Sequence, residues 1–218
     1  MLLVVNAGSS SLKLALFDDA LRQVAQARTE RIGAEGHLPA LRAGLAEMQI
    51  TPADLTAAAH RVVHGGAGLT AACRITPTVE AQIYACCTLA PLHNPANLTG
   101  IRAIRALAPD LPQYASFDTA FHASNPAVAT TYALPLAERE QGLRRYGFHG
   151  LSYAAIVRKV KEMRAGALPK RLLVFHLGNG ASACAILDGQ SVASTMGYSP
   201  LDGLTMGTRG GSLDPGVV

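Results

Sequence analysis

Two stretches of this chain repeat one local design, and they narrow the possible folds more than any other feature. Near the N-terminus the apolar run Leu2–Val5 meets small turn residues, Asn6-Ala7-Gly8-Ser9-Ser10-Ser11. Leu12–Phe17 then alternates as a strand until Asp18-Asp19 closes it. Much later, Leu172–Leu177 enters Gly178-Asn179-Gly180-Ala181-Ser182, followed by the strand-like Ala183–Leu187 and a turn at Asp188-Gly189. Each is a strand–turn–strand hairpin with a turn of glycine, serine and other small residues. Between them the spacing predicts a helix over 38–48, where Leu38, Leu41, Leu45 and Met48 share one face. It predicts mostly helix over 77–108, broken at 91–95, and an amphipathic helix over 152–163. Thr51-Pro52 with Asp54 reads as a helix start. Ala57–Val63, Tyr114–Phe117 and Arg171–His176 read as strands. The result is an α/β chain that uses one structural idea twice, as a duplicated fold would.

Composition bounds what such a chain does. Its 218 residues suffice for one large domain or two small ones, and with 49% apolar and 16% charged residues a sizeable core is available. That excludes a disordered or fibrous chain. A pI near 9.0 invites a nucleic-acid reading. However, the basic excess is concentrated in residues 144–171, and the rest of the chain is net negative. With six Tyr, five Phe and no Trp thinly spread, there is no aromatic stacking platform, and no nucleic-acid partner is expected. Cys73, Cys86, Cys87 and Cys184 form no C-x-x-C pair, so a reduced, intracellular protein is expected. The N-terminus lacks a basic region before its short apolar run, and no stretch approaches the roughly 18 apolar residues of a membrane span. A cytoplasmic protein with no membrane partner is expected.

Several segments carry residues suited to anion chemistry, and each also has an ordinary reading. In the first hairpin, a small-residue turn lets backbone N–H groups converge on an anion, and three serines and Lys13 add donors. The alternative is a plain hairpin turn. Gly178–Ala183 fits the pattern G-x-G-x-x-A, but the pattern must open a helix, whereas a strand and turn follow here. A Rossmann site is rejected and a phosphate-binding hairpin kept. His60 and His64 stand four apart, yet Arg61 replaces the glutamate of H-E-x-x-H and the segment reads as extended, so zinc is not expected. Arg61, beside Gly65-Gly66, suits a carboxylate or phosphate, or else pairs with a structural acid. Asp118 lies at the C-terminal end of a strand, where α/β sites commonly sit, or caps a helix. His149 is flanked by glycines, and Arg209 lies in a flexible loop.

Taken together, Asn6–Lys13, His60–Gly66, Pro91–Pro95, Phe117–His122, Arg145–Gly150, His176–Ser182 and Met196–Arg209 resemble the blocks of the acetokinase family, in the family's order. That family lies within the sugar kinase/actin/heat-shock ATPase superfamily. The resemblance implies a ribonuclease H-like α/β fold, with residues 1–118 as a first lobe and 119–218 as an incomplete second lobe. It implies ATP-dependent phosphorylation of acetate to acetyl phosphate, with propionate as the rival acceptor and a non-catalytic nucleotide- or phosphate-binding fragment as the rival class. By the same resemblance Asn6 is associated with Mg²⁺ (or Mn²⁺), and Lys13 contacts ATP. Arg61 holds the substrate carboxylate. His149 and Arg209 stabilise the transition state. His176, Leu177, Gly178, Asn179 and Gly180 form a loop for the phosphates of ATP or ADP. Val63, Leu92, Phe148 and Pro200 form an apolar pocket for the acetate methyl, and His93 sits in the P-L-H-N-P block. Asp118 corresponds to a proton donor/acceptor. Acetate is already ionised and needs no general base, so the expected role of Asp118 is to hold Arg61 or a Mg²⁺-bound water.

The sequence departs from the family's usual G-F-H-G-T-S-H at Leu151 and Tyr153, and from S-G-D-I-D-P at Gly210–Pro215. Family members are also longer. The further part would carry the adenosine pocket and a Mg²⁺-associated glutamate, and the family is typically homodimeric. The isolated 218-residue chain is therefore expected to be inactive. Apolar strand faces at Leu172–Phe175 and Ala183–Leu187 are expected to lie uncovered.

Overall fold

A computed structural model describes residues 1–32 and 36–217, which form two compact units. One comprises Met1–Gly65 and Ala72–Ser116, the other Gly66–Ala71 and Phe117–Val218.

The first unit is built on β1 (Leu2–Ala7), β2 (Ser11–Phe17), β3 (Gln23–Glu30), β4 (Ala57–Val62), β5 (Cys73–Arg74) and β6 (Gln113–Phe117). They form one sheet in the order β3-β2-β1-β4-β6-β5. β1 is antiparallel to β2, β2 is antiparallel to β3, and β1 runs parallel to β4. Burial alternates strictly along β1, as it must when one sheet face meets a core. Leu3, Val5, Leu12, Leu14 and Leu16 form that face with Leu41 and Leu45 of α1 (His37–Glu47) and Ile104 of α3 (Asn94–Leu107). Between them lies α2 (Pro77–Ala85), capped by the Thr76 hydroxyl, which accepts from the Val79 N–H at 3.3 Å.

The second unit holds a meander of β7 (Arg171–Leu177), β8 (Ala181–Leu187) and β9 (Gln190–Ser194), all antiparallel. It also holds the short α4 (Ala127–Thr130) and α5 (Leu136–Glu140), and the longer α6 (Gly150–Met163). Tyr153 and Val157 of α6 pack against Leu172, Val174, Cys184 and Ile186. Each unit thus contains a three-stranded antiparallel meander entered through a small-residue hairpin.

Several elements differ from the sequence expectations. The hairpin turns are shorter: Asn6, Ala7 and Ser11 are strand residues, as are Ala181 and Ser182. Pairing continues through Ala7↔Leu12 and Leu177↔Ala181, because small side chains do not prevent ladder hydrogen bonding. Thr51–Asp54 forms one 3₁₀ turn with a capping box rather than a long helix. β3 and β9 were not anticipated; β3 is a polar, largely exposed edge strand with little alternation to betray it. Ala183, Cys184 and Ile186 are buried, so the expected uncovered face is corrected to Leu173, Phe175 and Leu177, which are 65, 55 and 76% exposed. No described helix is long and apolar enough to cross a membrane, and all four cysteines are free.

His60 and His64, adjoining Arg61, make the first unit sensitive to acid. Both are buried, and the His60 Nε2 meets Gln113 Oε1 at 2.8 Å. Burial pushes each imidazole down to about 4. Above pH ~6.5 the rings are neutral whether folded or unfolded, and they cost nothing. Between pH ~6.5 and 4 the unfolded chain takes up protons that the folded rings refuse, so stability falls by an order of 3 kcal/mol per ring. Urea unfolding at pH 7.0 and 4.5 is expected to show this loss. Equal midpoints would mean that neither ring is kept neutral by the fold.

Candidate functional site

In the first unit, a row of polar side chains crosses the sheet face opposite the helices. Arg61, on β4, donates from Nη1 to Asn6 Oδ1 on β1 at 3.2 Å. Asn6 lies directly opposite Lys13 on β2, and Lys13 opposite Arg28 on β3. Three cations and an amide therefore share one face, beside an open depression whose lining includes Val4, Asn6, Lys13, Gln26, Arg28 and the acidic Glu47. A cationic row with a forked guanidinium suits an anionic ligand. Sequence reasoning missed Arg28, since only strand register brings it beside Lys13. Its guanidinium is ion-paired with Glu30.

Asparagines at the start of α3 hold this frame together. Asn97 accepts from the Val63 N–H at 3.0 Å and donates to the Ala7 carbonyl at 2.7 Å. Asn94 accepts from the His64 N–H at 3.0 Å and donates to the His64 carbonyl at 2.9 Å. Two buried amides thus tie the exit of β4, just past Arg61, and the exit of β1, just past Asn6, to one helix. His37 Nε2 meets the Gly8 carbonyl at 2.8 Å, which anchors the hairpin turn. The Pro91–Pro95 block pointed to this helix start, but not to the asparagine contacts. Val63 is buried, His93 precedes α3, and Leu92 is 74% exposed.

The second unit gathers a denser cluster around the β7–β8 turn. His149 occupies the N-cap of α6 with φ 60°, a left-handed conformation rare for a residue with a side chain. The next residue must be glycine: a Cβ on Gly150 would lie 2.3 Å from the Asp118 carbonyl oxygen, which accepts the Gly150 N–H at 2.8 Å. The ring of His149 stacks on His176 of β7, with centroids 4.0 Å apart and planes at 22°. Ser182 Oγ lies 2.8 Å from His149 Nδ1, and Ser152 Oγ lies 3.0 Å from His176 Nδ1. The Tyr153 hydroxyl is hydrogen-bonded to Ser182 Oγ.

Gly180 marks where the cluster faces. A Cβ there would meet His149 Nε2 at 3.0 Å and Arg209 Nη2 at 3.4 Å. An imidazole nitrogen and a guanidinium from separate segments thus converge on the backbone of the turn. Arg209 is steadied by donating from Nη1 to the Pro200 carbonyl at 2.8 Å. Arg145 donates to Asp202 at 2.8 Å and braces the same loop. The turn itself is open, with Leu177, Gly178 and Asn179 exposed. Asp118 is buried just before the 3₁₀ turn Ala120–Ser124, and Phe148 is buried beside His149. His122 is fully engaged, with Nε2 on the Phe148 carbonyl at 2.9 Å and Nδ1 on Ser191 Oγ at 2.8 Å, and burial pushes its pKa down. The second unit therefore brings together His149, His176, Gly180 and Arg209, all named from sequence. Ser152, Tyr153 and Ser182, which hold the rings, were not. Backbone N–H groups, an imidazole and a guanidinium on one turn suit an oxyanion or phosphoryl group.

Comparison with known proteins points the same way. The model of the acetokinase family matches residues 37–218. The acetate kinase of Methylocella silvestris is 44% identical over 99% of this chain and 62% of its own length. That of Micrococcus luteus is 47% identical over 100% of this chain and 60% of its own. Among solved structures, Porphyromonas gingivalis acetate kinase aligns with a TM-score of 0.90 at 36% identity, covering 99% of this chain and 62% of its own. A Francisella tularensis propionate kinase aligns at 0.89 and 34%, with the same coverage. The chain spans about 60% of the length of these relatives.

Proposed function

The chain belongs to the acetokinase family, and we propose that it serves the reversible transfer of the γ-phosphoryl group of ATP to acetate, giving acetyl phosphate and ADP. A carboxylate oxygen attacks phosphorus, the bond to the ADP oxygen breaks, and no proton moves. The difficulty is charge, because donor, acceptor and leaving group are all anionic. The observation that carries the reading is the convergence of His149 Nε2 and Arg209 Nη2 on Gly180. Donors fixed in advance offset charge that develops in the transition state. Arg61 is assigned the acceptor carboxylate, and Lys13 and the His176–Gly180 turn the nucleotide phosphates. Val63, Leu92, Phe148 and Pro200 are assigned the methyl of the acceptor. Buried Asp118 is assigned to hold a cation or a metal-bound water. Residues 1–118 as a first lobe and 119–218 as the opening of a second, a cytoplasmic location and a homodimeric state belong to the same reading.

Mg²⁺, or Mn²⁺ in its place, is the expected companion of the nucleotide. Magnesium carried on phosphates keeps several waters and takes few protein ligands. The half-buried Asn6 Oδ1, already facing Arg61, fits the holding of such a water. When bound, the ion neutralises phosphate charge. The acceptor is a short-chain carboxylate. One methylene in an apolar pocket is worth only about 1–3 kcal/mol, so acetate and propionate stay close rivals, and the Francisella tularensis relative is a propionate kinase. A polypeptide confined to these 218 residues is proposed not to turn over.

The test is hydroxamate trapping of acyl phosphate from ATP, Mg²⁺ and either acid, in a chain extended to the relatives' length with the remaining segment of the Micrococcus luteus acetate kinase. Acyl phosphate is expected from both acids, with acetate favoured. Nucleotide binding without acyl phosphate would replace the reading by a non-catalytic nucleotide-binding module.

A further inference from the structure

We infer that Ser182 and Tyr153 are positioning residues that hold His149 in one tautomer, with Nδ1 bare and Nε2–H turned toward Gly180 and Arg209. The inference follows from counting protons in a closed space. Ser182 and Tyr153 have no exposed surface. Among the described residues, Ser182 Oγ has two hydrogen-bond partners, His149 Nδ1 and the Tyr153 hydroxyl. Burial pushes the Tyr153 phenol above its usual range, so it keeps its proton and must donate it. The His176 backbone amide lies beside the same phenol oxygen, but an N–H cannot accept. The Tyr153 proton therefore goes to Ser182 Oγ. The Ser182 proton then has one acceptor left, His149 Nδ1.

The opposite direction fails on the same count. If Nδ1 carried the proton and donated it to Ser182, the Ser182 proton would have to pass to Tyr153. The buried phenol proton would then be stranded, and a buried donor without an acceptor is costly. The relay Tyr153 to Ser182 to His149 gives both hydroxyl protons an acceptor, and it leaves Nε2 as the nitrogen that bears hydrogen. The use of the Nε2–H toward a transferred phosphoryl group rests on the phosphotransfer reading. Its placement on Nε2 does not.

The experiment uses the 218-residue chain without substrates, so its failure is distinguishable from failure of that reading. Ring nitrogens of ¹⁵N-histidine-labelled protein are observed in long-range ¹H–¹⁵N spectra at neutral pH, with His149→Gln assigning the signals. The wild type is expected to show an unprotonated, hydrogen-bonded Nδ1 and a protonated Nε2. In Ser182→Ala the Nδ1 signal should move downfield to the position of a nitrogen that accepts nothing, and the second tautomer should enter. Tyr153→Phe should shift it less, in the same sense, and Ser182→Thr should restore the wild-type position. A protonated Nδ1 in the wild type would overturn the inference, as would an unmoved Nδ1 signal in Ser182→Ala. If Ser182→Ala does not fold, the wild-type tautomer and the Tyr153→Phe shift decide alone. An unshifted Tyr153→Phe spectrum would then overturn the relay.

Discussion

Replacing Arg61 by alanine is expected to lower kcat/KM for acyl phosphate formation by two to three powers of ten in the chain extended to the relatives' length. The side chain projects from β4 on the sheet face opposite the helices, where its contact with Asn6 Oδ1 sets the direction of the fork. Removing one preorganised donor from developing charge typically costs about 3–4 kcal/mol. The fold should tolerate the loss, because the frame beneath Arg61 is held by the Asn94 and Asn97 backbone contacts and by the Leu3–Leu16 core. Arg61→Lys is expected to recover little. An ammonium group is a point charge and cannot bind two carboxylate oxygens in parallel while also meeting Asn6. A purely structural arginine would behave differently: its alanine variant would lose midpoint stability and keep its rate constants. Turnover near the unsubstituted level in a stable Arg61→Ala chain would remove Arg61 from the site.

Most of the candidate residues that carry charge were legible in the sequence, whereas Arg28 and those that aim the charges were not. His149, Arg209 and Gly180 stand in short glycine-rich blocks, where a bare backbone beside a cationic or ring side chain suits an anion. Ser182 stands in such a block too, but there it looked like one more small turn residue. Its role depends on β8 beginning at Ala181, which sets Ser182 opposite His176 and beneath His149. A one-residue change in where the strand begins would turn that hydroxyl to the other sheet face. Arg28 was hidden for the same reason: it reaches Lys13 only through the β2–β3 register, and β3 is too polar to announce itself as a strand. The hairpins were readable because apolar runs of period two bracket small residues. The short helices at 127–140 were not, since four or five residues define no face. Asn94 and Asn97 show the limit from another side. A buried amide satisfying backbone groups at or just past the ends of β1 and β4 looks, in sequence, like any polar residue near a helix start.

A purified polypeptide of these 218 residues is expected to form no measurable acyl phosphate from ATP, Mg²⁺ and acetate, although its folded units hold the cationic groups assigned above to the proposed reaction. Phosphoryl transfer asks little covalent chemistry of a protein. Its rate comes from positioning donor, metal and acceptor together and from electrostatics in a site that excludes water. The chain spans about 60% of the length of its relatives. Within it the β7–β8 turn is open, with Leu177 76% exposed and Gly178 and Asn179 at the surface. A charge interaction worth about 4 kcal/mol at 4 Å near a protein surface falls to about 1 kcal/mol in bulk water, so His149 and Arg209 lose most of their leverage on a solvated phosphate. β7 is also an edge strand that presents Leu173, Phe175 and Leu177 to solvent, a face that favours self-association over a defined site. Hydroxamate trapping checks the expectation, with the extended chain as the positive control. Turnover by the 218-residue polypeptide within tenfold of the ordinary enzyme median of roughly 10 s⁻¹ would show that residues 1–218 enclose the reacting groups by themselves or by pairing with a second copy.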